Sequence, residues 1–245
     1  MIDYNHFRKS FYTMKINILL CDTFPGLLPP DIPSYSSMFQ RLFNSVESSI
    51  QYEVFDVQHN IYPETLNDKE LYLIPGSTAS AYDNVPWINR LKEFIQILHH
   101  KKMKTVGVCF GHQIIAQALG GKVVRALQGW GIGIRSSIIV APKAEKYFPQ
   151  KEMRLHYNHH DQVIELPPHA TRFATSDFCI NEGFFIEDHI LTFQGHPEYT
   201  HEYNEYILLH HASDEPEEVK TKALRSLANK ADNLAVVGFI LDIIK

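Results

Sequence analysis

Cysteine is scarce: Cys21, Cys109 and Cys179 are the only three in 245 residues. Three thiols cannot build a disulfide framework, so a small disulfide-stapled scaffold is excluded. Reduced thiols make a cytoplasmic location the expectation. Long apolar runs are lacking too. The most apolar stretch, Leu234 to Ile244, is too short for a bilayer and is interrupted by Asp242, so no membrane span is expected. The opening residues MIDYNHFRKSFYT contain no apolar core of the signal-peptide kind. Basic charge is in deficit: 23 Lys and Arg against 28 Asp and Glu leave a net charge of −5, and no basic run offers a stripe for nucleic acid. Neither H-E-x-x-H nor C-x-x-C occurs, so no metal and no other cofactor is expected. Repeats, low-complexity tracts and long linkers are also missing. A single domain over residues 14–245 is the reading, with residues 1–13 as an N-terminal extension and Met14, just before the first apolar run, as an alternative start.

What is present alternates. Ile16 to Cys21 is a short run rich in branched residues, apolar but for Asn17, the pattern of a strand buried on both faces. Phe24 to Ser34 holds too many prolines for a regular element and reads as a loop. Tyr35 to Ile50 has helical spacing with Met38, Leu42, Phe43 and Val46 on one side. Tyr52 to Val57 and Leu71 to Ile74 read as strands. Pro86 opens a helix to His100 whose apolar face is Ile88, Leu91, Phe94, Ile95 and Leu98. A strand from Lys104 to Cys109 and a helix from Gly111 to Leu119 follow, closed by Gly120-Gly121.

The second half predicts short strands at Val123–Arg125, Ile132–Val140, Gln162–Leu166, Thr171–Thr175, Phe178–Asn181, Phe184–Glu187 and Leu191–Gln194. Helix returns from about His201, with further helices at Val219–Ala228 and Asn233–Ile244. This order predicts an α/β fold: a three-layer sandwich with a mostly parallel central sheet, helices on both faces and a small antiparallel extension.

Gly107-Val108-Cys109-Phe110-Gly111 is the most informative stretch. A nucleophile between glycines at a strand-to-helix junction predicts a strained turn that projects the sulfur from the C-terminal edge of the sheet. The positive end of the following helix favours thiolate. The N–H of Phe110 is then available to an oxyanion. Cys21 and Cys179 lack such a turn and read as structural.

A cysteine nucleophile needs a base, and the base an orienting group. Among 14 histidines, the pairs His99-His100, His159-His160 and His210-His211 read as solvated or in loops. His196 follows a predicted strand after a single glycine. Pro197 favours an extended chain in which Glu198 projects to the same side as His196.

Taken together, GVCFGHQ from Gly107 to Gln113 and QGHPE from Gln194 to Glu198 resemble the class I glutamine amidotransferases, which carry a Cys-His-Glu triad and a flavodoxin-like fold. Ile74-Pro75-Gly76-Ser77 is similar to the family's oxyanion loop. Asn158-His159-His160-Asp161-Gln162-Val163 resembles the family's S-H-x-D-x-V segment, part of the glutamine pocket. The resemblance runs from Ile16 to Tyr199. It implies Cys109 as nucleophile, His196 as general base, Glu198 as its orienting group and the N–H groups of Gly76 and Phe110 as the oxyanion hole. It also implies Gln113, His159 and Asp161 as substrate-binding positions. One departure stands out: related standalone members often carry G-W-E-I-G where this chain has Gly129-Trp130-Gly131-Ile132-Gly133, so Gly131 removes a carboxylate.

The resemblance implies a small γ-glutamyl substrate and leaves three readings open. The first is a hydrolase of glutamine or another γ-glutamyl compound, similar to the standalone γ-glutamyl peptidases that resemble the glutaminase part of GMP synthase. The second is a glutaminase subunit that passes ammonia to a separate synthase partner. The third is a non-catalytic regulatory binding protein of the same fold. The amidotransferase module nearly fills these 245 residues. The GHPE form and the region around Trp130 lean toward the first reading.

Overall fold

The computed structural model describes residues 14–22, 34–210 and 215–244. The predicted extension 1–13 and nearly all of the predicted loop Phe24–Ser34 lie outside the described residues.

The architecture follows from strands that are apolar on both faces. Strand β1 (Lys15–Leu20) lies between β2 (Gln51–Asp56) and β3 (Leu71–Ile74), all parallel. β3 pairs in parallel with β4 (Lys104–Val108), which pairs in parallel with β11 (Ile190–Phe193). Alternate side chains diverge, as strand geometry requires. Ile16, Ile18, Leu71, Leu73, Val106 and Val108 pack with Phe39 and Phe43 of α1 (Tyr35–Asn44) and with Val236, Val237 and Ile240 of α7 (Asn233–Ile244). Leu19, Tyr72 and Ile74 face the other way, onto Leu91 and Ile95 of α2 (Pro86–His100) and Ile114 and Ile115 of α3 (Phe110–Ala118). The result is a three-layer α/β domain with helices on both sides of a central sheet.

Beyond β11 the sheet continues antiparallel through β10 (Gly183–Ile186), β9 (Ala170–Thr175), β6 (Gly131–Ile139) and β7 (Glu152–His159). A separate antiparallel pair joins β5 (Lys122–Arg125) to β8 (Asp161–Glu165). A single helical turn, α4 (Pro142–Glu145), links β6 to β7, while α5 (His201–His210) and α6 (Glu217–Ser226) precede α7. No helix among the described residues is long and apolar enough to cross a membrane.

Several predicted boundaries differ. The helix expected to reach Ile50 ends at Asn44, and Val46 is 48% exposed rather than on the buried side. Polar side chains take over the backbone there: Ser45 Oγ donates to the Leu42 carbonyl at 2.6 Å, and both the N–H and the hydroxyl of Ser49 donate to Glu47. Phe178–Asn181 is a turn, not a strand. The N–H of Cys179 donates to Ser176 Oγ at 3.0 Å and that of Ser176 to the Cys179 carbonyl at 2.9 Å, which closes the chain on itself. Strand β7 was not anticipated, because its inward set Met153, Leu155, Tyr157 and His159 includes a histidine and is interleaved with charged residues.

Candidate active site

The site forms at the C-terminal ends of the parallel strands. β4 stops at Val108, and Cys109 adopts φ 53° and ψ −106°, a left-handed value that a side chain rarely tolerates. Hydrogen bonds hold the turn on both sides. Cys109 N–H donates to the Phe193 carbonyl at 2.8 Å, and Gly111 N–H donates to the Pro75 carbonyl at 3.1 Å. The second glycine has a steric reason: a Cβ on Gly111 would lie 1.9 Å from the Ile74 carbonyl oxygen. The helix that follows can therefore press against the end of β3, two residues before Gly76. Phe110 is the first residue of α3, where a backbone N–H has no intrahelical partner.

His196 arrives from the neighbouring strand end. Its N–H donates to the His156 carbonyl at 2.7 Å, a single bridge to β7. The chain bends at Pro197 and Glu198 instead of remaining extended, and the bend closes the Glu198 Oε1 to His196 Nδ1 distance to 2.7 Å. Both side chains are buried. Burial works to deprotonate the imidazole. The Glu198 carboxylate and the neighbouring Cys109 outweigh it and raise the pKa to about 10, so the ring carries a proton at neutral pH.

Cys109 and His196 line one cavity of about 250 Å³, together with Gln113, His159 and Asp161. Gly76 sits against it: a Cβ there would meet His196 Cε1 at 3.0 Å. Gln113 is buried, and its amide donates to the Asp161 carbonyl at 2.8 Å and to Gln194 Oε1 at 3.2 Å.

The Asp161 carboxylate is held by Ser80 Oγ at 2.6 Å, Tyr82 Oη at 3.1 Å and His160 Nδ1 at 2.9 Å. Burial pushes its pKa up, but these contacts outweigh it and leave the group below the usual carboxylate value. Asp161 thus ties β8 to the loop after β3 through its carboxylate, while its backbone carbonyl accepts from Gln113 and His159. His159, expected on a solvated pair, is buried. Its Nδ1 donates to the Asp161 carbonyl at 3.0 Å, and burial depresses its pKa to about 3, so it is neutral.

Gly131 explains where the missing carboxylate position went. A Cβ there would meet Phe178 Cε1 at 2.7 Å and His159 Nε2 at 2.8 Å. In this chain the His159 and Phe178 rings fill the space that a side chain at position 131 would need. Arg135 in turn covers the Phe178 ring at 4.0 Å.

Tyr35, Tyr199 and Tyr203 form a wall of the cavity that sequence reasoning missed, and Ile207 of α5 extends it. The signal was available: Tyr203 and Ile207 are four residues apart on α5, and Tyr199 lies one such interval earlier, just before the helix. Neither Cys21 nor Cys179 lines the cavity. Both are buried, and burial raises both thiols well above the ordinary value.

The family model described as glutamine amidotransferase class-I matches residues 32–212. Among curated relatives, gamma-glutamyl peptidase 3 of Arabidopsis thaliana is 40% identical over 178 residues, covering 69% of this chain and 70% of that protein. Gamma-glutamyl peptidase 2 of the same plant is 38% identical over 183 residues, covering 71% and 74%. A crystal structure of a glutamine amidotransferase from Thermotoga maritima superimposes with a TM-score of 0.74 at 20% identity, covering 96% of this chain and 99% of that one, a likeness of fold.

Proposed function

The chain belongs to the class I glutamine amidotransferase family, and from that premise we propose that it hydrolyses the γ-glutamyl amide bond of a small molecule through a cysteine thioester. The observation that carries this reading is the strained turn at Cys109 sharing a cavity with His196, whose Nδ1 is bonded to Glu198 at 2.7 Å.

In this reading His196 takes the proton of the Cys109 thiol, which leaves a thiolate and an imidazolium. The thiolate attacks the γ-carbonyl carbon, and the N–H groups of Phe110 and Gly76 stabilise the oxyanion. The C–N bond breaks as His196 gives its proton to the leaving ammonia or amine. The ring, now neutral, takes a proton from water, whose oxygen attacks the thioester. Glutamate leaves, and the thiolate–imidazolium pair is restored. Glu198 holds the imidazole in the tautomer and orientation that both steps use. Gln113 and the backbone around His159 and Asp161 form the γ-glutamyl end of the pocket. The similarity to proteins named gamma-glutamyl peptidases supports a hydrolase over a glutaminase subunit.

The test is glutamate release from a panel of γ-glutamyl compounds by the purified chain, alone and with lysate. Turnover by the chain alone is expected, and Cys109→Ala should lower it by at least about a thousandfold. A γ-halo-keto glutamine analogue should alkylate Cys109. Full activity in Cys109→Ala, or labelling at Cys21 or Cys179 instead, would overturn the assignment. Turnover only with lysate would favour the partnered glutaminase.

A further inference from the structure

We infer that Tyr199 is a positioning residue for His196: its ring stacks on the imidazole, fixes the plane of the ring and favours its charged form. The inference rests on His196 being the acid–base partner of Cys109. The Tyr199 and His196 ring centroids are 3.9 Å apart and the planes differ by 15°, a face-to-face stack. Both residues are nearly excluded from solvent, at 2% and 1% exposure.

A hydrogen bond from Nδ1 to Glu198 fixes one atom of the imidazole but leaves the ring able to pivot. A flat aromatic surface against its face removes that freedom and holds Nε2 in one direction. The same surface carries the negative face of a π quadrupole, which attracts an imidazolium and not a neutral ring.

The stack is itself anchored. The hydroxyls of Tyr199 and Tyr35 are 3.0 Å apart, and the Tyr35 ring lies parallel to His196, within 11°, at 6.4 Å. Tyr203 packs edge-on against Tyr199 with centroids 4.5 Å apart. The bend at Pro197 and Glu198 that brings the carboxylate to Nδ1 also folds Tyr199 back over the ring it follows. One four-residue segment therefore supplies the base, the carboxylate and the stack.

The charged and titratable groups facing His196 are Glu198 on its own segment, Cys109 at the end of β4, Tyr35 on α1, and His156 and His159 on β7. The two histidines are held neutral, at about 4 and about 3, largely by burial, so they add little repulsion to the imidazolium. Glu198 and Cys109 both favour it. Replacing Tyr199 removes a stabilising contact without changing any of these charges.

The experiment compares Tyr199→Phe, which keeps the ring, with Tyr199→Leu and Tyr199→Met, which remove it. Far-UV circular dichroism checks the fold of each. The Hε1–Cε1 resonance of His196, identified by its loss in His196→Asn, is titrated from about pH 7 to about pH 12. In the Leu and Met variants the midpoint should fall by about one unit, and kcat for glutamate release should fall about tenfold. In Tyr199→Phe the midpoint should stay in place and kcat should remain within about threefold. An unmoved midpoint and kcat in the Leu and Met variants would overturn the inference. So would Tyr199→Phe falling as far as they do, which would assign the effect to the hydroxyl. The titration needs no turnover: a parent that releases no glutamate yet shows the ring-dependent midpoint would refute the proposed function and leave the stack intact.

Discussion

Replacing Cys109 by glycine should give a more stable protein than replacing it by alanine. Both substitutions remove the sulfur, so the loss of its buried contacts is common to the pair. At an ordinary backbone position glycine is the worse choice by about 0.5–1 kcal/mol, because its unfolded chain has more freedom to lose. Position 109 is not ordinary. At φ 53° and ψ −106° any residue with a Cβ is held in a sparsely populated conformation, which costs about 1–3 kcal/mol. Glycine relieves that strain and alanine retains it. The balance favours Cys109→Gly by about 1 kcal/mol, and in a domain of this size that is a melting temperature higher by about 2–4 °C. Differential scanning calorimetry of the two variants near neutral pH reads the difference directly, and neither should release glutamate. If the alanine variant melts at or above the glycine variant, the turn stores no strain and the nucleophile-elbow argument loses its physical basis.

Gly131→Ala puts a methyl group 2.7 Å from Phe178 and 2.8 Å from His159, so one ring must move. A stability loss of about 1–3 kcal/mol and a drop of about tenfold in kcat/KM are expected. Unchanged kinetics would mean that the position of His159 does not matter to the substrate pocket.

Acid should destabilise the chain well above the carboxylate range. His112 and His159 are buried and held at about 3, against an ordinary 6.5 for histidine, with desolvation the largest cause for each. Their folded values are depressed, so the unfolded chain takes up protons first as the pH falls. The stability they contribute is full above about pH 6.5 and is lost toward about pH 3, at roughly 1.4 kcal/mol per pH unit for each group. His196 runs the other way: raised to about 10, its contribution is full below about pH 6.5 and is lost as pH rises through about 10. Urea midpoints measured across the acid window test this; a midpoint that stays flat from about pH 6.5 to about pH 4.5 would refute it.

The parallel half of the fold was legible because its inner strands, β1, β3, β4 and β11, are buried on both faces and helices such as α2 on one. Apolar runs such as Leu71–Ile74 and the spacing of Ile88, Leu91, Ile95 and Leu98 carry that information locally. The antiparallel half was harder to read. Its strand β7 mixes core and charged residues, and the residues 178–181 look strand-like until Ser176 captures the Cys179 backbone. The motif residues could be named from the sequence because close backbone approach leaves a mark: only glycine fits at position 111 against the Ile74 carbonyl.

What the sequence determined by itself was composition-level chemistry and local geometry: reduced thiols, alternating strands and helices, a tight turn around one cysteine and a histidine two residues before a carboxylate. Side-chain environment depends on residues far apart in the chain, and only the tertiary structure decided it. Tyr35 precedes Tyr199 by 164 positions, yet their hydroxyls meet beside His196. Asp161, which resembles a pocket residue in sequence, turns its carboxylate toward Ser80 and Tyr82. Gly131, which in sequence only removes a charge, makes room for a buried histidine. Each outcome follows from which surfaces the sheet brings within a few ångströms, and no local pattern records that.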